Sequence, residues 1–217
     1  MIKIENIEVS GWDAAIRGMR NPMNSWDKSD SHWTHIEDAE TLETAKFQFF
    51  AGDNDLDLMK RLAQGGSVHA KYRRMIVVTC DITAPLYWWK EFDTYKVGTV
   101  ANSCSTMHKI HDKPFDVDDF SREHLSAKSE NLLRCIIKHL NEYREGFIQS
   151  KDKREWWQMI QLLPTSYNQK RTVQISYEVA AALCKDRRYH KLDEWHVLCD
   201  MLEGLPYADG IIYNIGG

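Results

Sequence analysis

Residues Ile2 to Ser10 alternate isoleucine and valine with polar side chains, the period-two signature of a half-buried strand, and Gly11 ends it. A short helix is expected next. It is followed by a polar, turn-rich stretch from Asn21 to Glu37, with two histidines and two tryptophans, that reads as an ordered loop. Asp53 or Asn54 can cap a helix through Leu56, Met59 and Leu62, which Gly65 and Gly66 stop. From Ala70 to Thr83, Tyr72, Arg74, Ile76, Val78, Cys80 and Ile82 recur at period two among β-branched residues and predict the central strand. Pro85 suits the first position of a helix running through Leu86 and Trp89. The spacing Leu132, Ile136, Leu140, Tyr143, Phe147 predicts a long amphipathic helix. Three shorter helices are expected after it: Trp156 to Leu163, stopped by Pro164; Val173 through Tyr177 and Ala181 to Cys184; and Leu192 to Leu202, closed by Gly204 and Pro206. With no repeat or linker in view, the pattern implies one α/β domain over residues 1–217, helix-rich in its second half.

A chain of 217 residues can bury one sizeable core. Its formal net charge of -4 gives no electrostatic reason to hold a polyanionic duplex, so no direct nucleic-acid binding is expected. The N-terminus lacks an apolar signal core, and no stretch approaches the roughly 20 apolar residues that span a bilayer; a cytoplasmic protein without membrane contact is expected. Cys80, Cys104, Cys135, Cys184 and Cys199 are widely spaced and form no C-x-x-C pair, so reduced thiols are expected rather than a disulfide framework or a zinc knuckle.

Lys71, Arg73, Arg74, Lys90 and Lys96 concentrate cations in an otherwise acidic chain. They could cradle a phosphate, or pair with Asp81, Glu91 and Asp93. Ser103, Cys104, Ser105 and Thr106 offer hydroxyls and a thiol to ligand oxygens or as a nucleophile. His108 and His111 are three apart, but isolated histidine pairs usually hydrogen-bond, and no metal is expected there. Trp88-Trp89 and Trp156-Trp157 each put two indoles on adjacent sides of a helix, one toward core and the other toward an interface or ligand. Arg187, Arg188, His190, Glu194 and Trp195 form a second cationic and aromatic spot, or a capped helix start with a buried tryptophan.

The segment TCDITAPLYWWKEFDTYKVGTVANSCSTMHK, Thr79 to Lys109, resembles the heart of flavin-dependent thymidylate synthases: a hydrophobic strand, Ala84-Pro85, an aromatic helix, a triplet and a hydroxyl-bearing loop. His69 stands where that family begins a His-x-Ser-x-x-Glu-His motif. Leu163-Pro164, Tyr167, Arg188 and Glu194-Trp195 resemble a second family stretch. The family's Arg-His-Arg triplet is Thr94-Tyr95-Lys96 here, and its serine falls at Cys104, between Ser103 and Ser105. The arginine ahead of Leu-Pro falls near Ile160 and is missing.

The resemblance implies an α/β (α+β) fold with a central sheet flanked by long helices, a homotetramer, and a flavin enzyme acting on a dUMP-like pyrimidine deoxynucleotide. FAD would be the cofactor, with NADPH and a folate as co-substrates. By the same resemblance His69, Thr94, Tyr95, Lys96 and Glu194 would serve the cofactor. Arg188 would bind and polarise the uracil end, with Ser103, Cys104 and Ser105 at the nucleotide. Lys96 replaces an arginine fork with a point charge. Each charged hydrogen bond lost costs about 1.5–3 kcal/mol, which Lys71, Arg73, Arg74 and Lys90 could offset from new positions. Three other readings stay open: another 5-substituted pyrimidine product of the kind used in phage-type DNA, a non-catalytic nucleotide-binding tetramer, and a protein-partner surface at Trp26 and Trp33.

Overall fold

In a computed structural model, residues 2–36 and 46–216 are described. The elements in chain order are β1 (Lys3–Ser10), α1 (Trp12–Arg20), β2 (His32–Ile36), β3 (Lys46–Phe50), α2 (Asp53–Gln64), β4 (Val77–Pro85), α3 (Leu86–Phe92), β5 (Thr99–Ser103), α4 (Ala127–Ser150), α5 (Lys153–Leu162), β6 (Asn168–Ser176), α6 (Tyr177–Arg187) and α7 (Asp193–Glu203). A four-stranded sheet has the order β1-β4-β6-β5, and β2 pairs antiparallel with β3 in a separate hairpin. This is the mixed α/β architecture expected from the sequence. The chain divides into two compact units: the first comprises Met1–Ile7, Cys80–Lys96 and Val100–Val173, the second Glu8–Thr79, Val97–Thr99 and Gln174–Gly217.

The core of the first unit forms around α4. Leu133, Ile137 and Leu140, at helical spacing, are buried with Phe115, Phe120 and Met159. Ile136, Tyr143 and Phe147 of the expected face pack against this core, whereas Leu132 is 63% exposed. On α3, Trp88, Trp89 and Phe92 are all buried, so neither indole of that pair reaches a surface. Pro85 is the last residue of β4 rather than the first of α3; its ψ of 150° keeps it extended.

In the second unit, Gly11 turns β1 into α1 at φ 91°, and a Cβ there would stand 2.0 Å from the Met75 carbonyl oxygen, so only glycine fits. The polar stretch after α1 is tied down by a buried ion pair. Arg20 Nε donates to Asp55 Oδ1 at 2.6 Å, and Asp55 Oδ2 accepts from the Ser29 and Ser31 hydroxyls and the Asp30 and Ser31 amides. The expected loop instead contains two 3-10 turns and then β2; Glu37 lies outside the described residues. Asp53 does not cap α2. The Asp30 carboxylate accepts from the Asn54 and Asp55 amides, so the exposed N–H groups of α2 are satisfied from an earlier segment.

The central strand begins at Val77 and not at Ala70, because Ala70–Arg74 is a 3-10 turn. Tyr72 and Arg73 are buried side by side, which an alternating strand does not permit. Tyr72 donates its hydroxyl to the Met59 carbonyl at 2.7 Å. Val173 and Ile175 are buried at period two in β6, where a helix was expected; Ser176 ends the strand and caps α6 through the Val179 amide. The C-terminal segment is held by side-chain donors, Arg73 to the Ile211 carbonyl and Tyr177 to the Pro206 carbonyl.

Candidate functional site

The second unit carries a cavity of about 800 Å3, of the size ligand sites have, roughly 300–1,000 Å3. One face of α6 forms its wall. Glu178, Ala181, Ala182 and Lys185 follow at positions i, i+3, i+4 and i+7, and Arg188 stands just past the helix end. At about 1.5 Å per residue, Glu178 and Arg188 mark ends about 15 Å apart. At the first end Arg73, only 6% exposed, is engaged at all three nitrogens: Nε and Nη2 reach Glu178 Oε2 at 2.8 and 2.7 Å, and Nη1 donates to the Ile211 carbonyl at 2.9 Å. At the other end Arg188 pairs with Asp200 at 2.5 Å and Glu203 at 3.1 Å, the Asp200 hydrogen bond holding the guanidinium charge more firmly than usual. Between them Lys185 makes no ion pair among the described residues. The charged lining therefore carries one net positive charge, with alanines between its ends.

The first unit has a smaller cavity of about 400 Å3, lined among others by Cys104, Ser105, Thr106, Lys113, Tyr167 and Lys170. The Cys104 amide donates to the Lys170 carbonyl at 2.9 Å, and its carbonyl accepts from Gln169 Nε2 at 2.7 Å. The Ser105 hydroxyl is engaged in its own turn, accepting from the Met107 and His108 amides and meeting His108 Nδ1 at 3.0 Å. The lysines are paired, Lys113 with Asp119 at 2.6 Å and Lys170 with Asp81 at 3.0 Å. Hydrogen bonds from Thr172, Lys170 and Asn6 draw the Asp81 carboxyl down to about 2. Burial, then the Asp119 charge, push the Tyr167 phenol up.

The residues singled out in the sequence fall in both units. Lys90, Thr94, Tyr95, Lys96, Ser103, Cys104 and Ser105 belong to the first; His69, Arg74, Arg188 and Glu194 belong to the second. Cys104 and Ser105 share one cavity, and Arg188 lines the other. Glu194 is buried at 7% exposure, while His69, just before the 3-10 turn, and Arg74, its last residue, are exposed. Of the five clustered cations, Arg73 is unavailable. Lys71, Arg74, Lys90 and Lys96 are exposed and make no ion pair among the described residues. Two of the acids expected to neutralise them are taken by other cations: Asp81 by Lys170, and Asp93 by Arg171 at 2.7 Å. Thr94 donates its hydroxyl to the Glu91 carbonyl at 2.7 Å.

His111 sets its ring edge-on against Phe147. Trp156 donates to the Met107 carbonyl, whereas Trp157 is exposed. Arg187 lies 4.8 Å over the buried Trp195. Among the described residues no helix is long and apolar enough to cross a membrane. Glu178, Lys185 and Glu203 were not singled out from sequence. For Glu178 and Lys185 the signal was the spacing 178, 181, 182, 185, 188, concealed when the helix is started at Val173 instead of Tyr177; Glu203 lies on α7.

No family model and no curated protein matches the sequence. Solved structures do match the fold. A thymidylate synthase X from Helicobacter pylori, with FAD and dUMP, superposes with a TM-score of 0.70 at 14% identity, covering 99% of both chains. A flavin-dependent thymidylate synthase from Helicobacter pylori, also complexed with FAD and dUMP, gives 0.66 at 15% identity and 98% of both chains. A UMP/dUMP methylase PolB from Streptomyces cacaoi, bound with 5-Br dUMP, gives 0.58 at 12% identity over 94% of this chain and 88% of that one. At these identities the likeness is one of fold.

Proposed function

We propose that this chain, built on the fold of flavin-dependent thymidylate synthases, binds a dUMP-like pyrimidine deoxynucleotide and modifies it with a flavin as the reactive group. The observation that carries the reading is end-to-end agreement of fold with proteins that hold FAD and dUMP or a dUMP analogue. Arg188, lining a cavity of nucleotide size with its guanidinium fixed by Asp200 and Glu203, would donate to the pyrimidine carbonyl and stabilise charge developing there. Lys185 would meet an anionic group of the ligand.

The donor set tests whether a flavin fits. Lys96 and Lys90 are exposed cations without carboxylate partners among the described residues, as a diphosphate tail requires, and Tyr95 is half-buried beside them in sequence. Thr94 contributes less, its hydroxyl being engaged by Glu91. A bound flavin would supply hydride, and a folate or other one-carbon donor the carbon. The protein's share is binding, orientation and polarisation. A homotetramer with His69, Arg74, Ser103, Cys104 and Ser105 serving cofactor or nucleotide belongs to the same proposal.

One observation favours a second, non-catalytic reading. Arg188 already satisfies two carboxylates, so its donors are partly committed before any ligand arrives. Two measurements separate the readings: the visible spectrum of the protein after incubation with FAD and gel filtration, and dUMP titration by calorimetry. A retained flavin band with dUMP binding weakened at least tenfold by Arg188→Ala is expected. dUMP binding without flavin would leave the binding-only reading, and neither would sink both.

A further inference from the structure

Glu203, on α7, lines the same cavity as Arg188, and its Oε2 stands 3.1 Å from Arg188 Nη2. Neither side chain is closed off: Arg188 is 34% exposed and Glu203 22%. Glu203 Oε1 has no partner among the described residues. A guanidinium carries five N–H donors, and the pairs with Asp200 and Glu203 occupy at most two, so at least three remain for a ligand. The other carboxylate of the lining, Glu178, is taken by Arg73 at the far end, about 15 Å away along α6. The Arg188 end therefore presents a cationic donor and an anionic acceptor side by side, with Lys185 one turn back along the same helix.

We propose that Glu203 is a specificity-determining residue, whose carboxylate accepts the ring N3–H of a uracil-type base while Arg188 donates to the neighbouring ring carbonyl. The proposal rests on the reading of Arg188 as the donor to a pyrimidine carbonyl. An imide edge carries a C=O and an N–H on adjacent ring atoms, and it is matched by a donor and an acceptor held together, as in the Arg188–Glu203 pair. An ionised carboxylate accepts hydrogen bonds and cannot donate one, so a ring nitrogen that has lost its hydrogen sets lone pair against lone pair. A site built around a substrate N–H rejects analogues that lack it, because its own polar group is then left unpaired. Glu203 thus selects bases that carry N3–H, against bases alkylated at N3 and against cytosine presented by its O2 and N3, which are both acceptors.

The test titrates dUMP and N3-methyl-dUMP by calorimetry into the full chain, as wild type, Glu203→Ala and Glu203→Gln, with folding of each checked by circular dichroism. Wild type should prefer dUMP by about tenfold or more. Glu203→Ala should weaken dUMP by about 10- to 100-fold, the loss of one charged hydrogen bond, and leave N3-methyl-dUMP within about threefold. Glu203→Gln keeps the side-chain volume and should show the same narrowing of preference in smaller measure, so the test stands if the alanine variant misfolds. Equal weakening of both ligands would overturn the proposal, since Glu203 would then only position Arg188. A gain in N3-methyl-dUMP affinity with dUMP unchanged would also overturn it, leaving exclusion by size. Wild type that binds both ligands equally would overturn the role of Glu203 alone, whereas wild type that binds neither would overturn the nucleotide reading and this inference with it.

Discussion

Asp55→Asn should be among the most destabilising single substitutions in the second unit. The Asp55 carboxylate is fully buried and accepts from five donors, and its Arg20 partner is only 4% exposed. Removing the negative charge leaves a buried guanidinium whose remaining acceptors are the Ser25 and Lys28 carbonyls, at 3.2 and 3.0 Å. Breaking a buried pair from one side costs about 3–5 kcal/mol. With an m-value of about 2 kcal/mol/M, the urea midpoint should fall by about 2 M with its slope unchanged. Burial alone would raise the Asp55 pKa; hydrogen bonds from Ser31, Ser29 and Arg20 overcome it and leave the pKa below its ordinary value. A depressed folded pKa gives stability that is complete above the unfolded value of about 3.9 and lost as pH falls below it. The difference between wild type and variant should therefore shrink on acidification. A midpoint shift under about 0.5 M, or a difference independent of pH from neutrality into the acid range, would refute the reasoning.

Leu140→Ala empties the centre of the first unit's core and should cost about 2–5 kcal/mol by urea unfolding, with the α4 helix retained by circular dichroism. Ser176→Ala removes the hydroxyl that caps α6 and should cost about 1 kcal/mol, whereas Ser176→Asp should restore most of it. The Asp81 carboxyl, followed by NMR, should titrate near 2, so its contribution is present above the unfolded value and lost as pH falls through about 2. In Lys170→Met the same resonance should titrate closer to an ordinary aspartate, and an unchanged value would remove Lys170 as a cause.

The helices were legible where apolar spacing and stop signals agreed, as for α2 with Gly65 and for α7 with Gly204. Two failures share a cause. Tyr72 and Arg74 alternate like strand residues by composition, but Arg73 between them turns inward to meet Glu178, a partner 105 residues away that no local pattern encodes. Around Val173 the apolar spacing admits both periods, and only the Ser176 cap fixes where strand gives way to helix. The same one-element shift hid Glu178 and Lys185, so Arg188 was found through family resemblance while its neighbours on the cavity wall were not. The pairing of Asp81 and Asp93 with Lys170 and Arg171 was equally out of reach, since all four lie on elements distant in sequence.

Many of the ties in this protein run from a side chain to a backbone carbonyl: Tyr72 to Met59, Arg73 to Ile211, Trp89 to Gln169, Trp156 to Met107, Tyr177 to Pro206. Every amino acid offers the same carbonyl, so the accepting position is free to drift through almost any residue while the donor alone is constrained. A fold fastened in this way loses half of its sequence memory at each tie, a physical route by which one architecture can outlast the identities of the residues that form it.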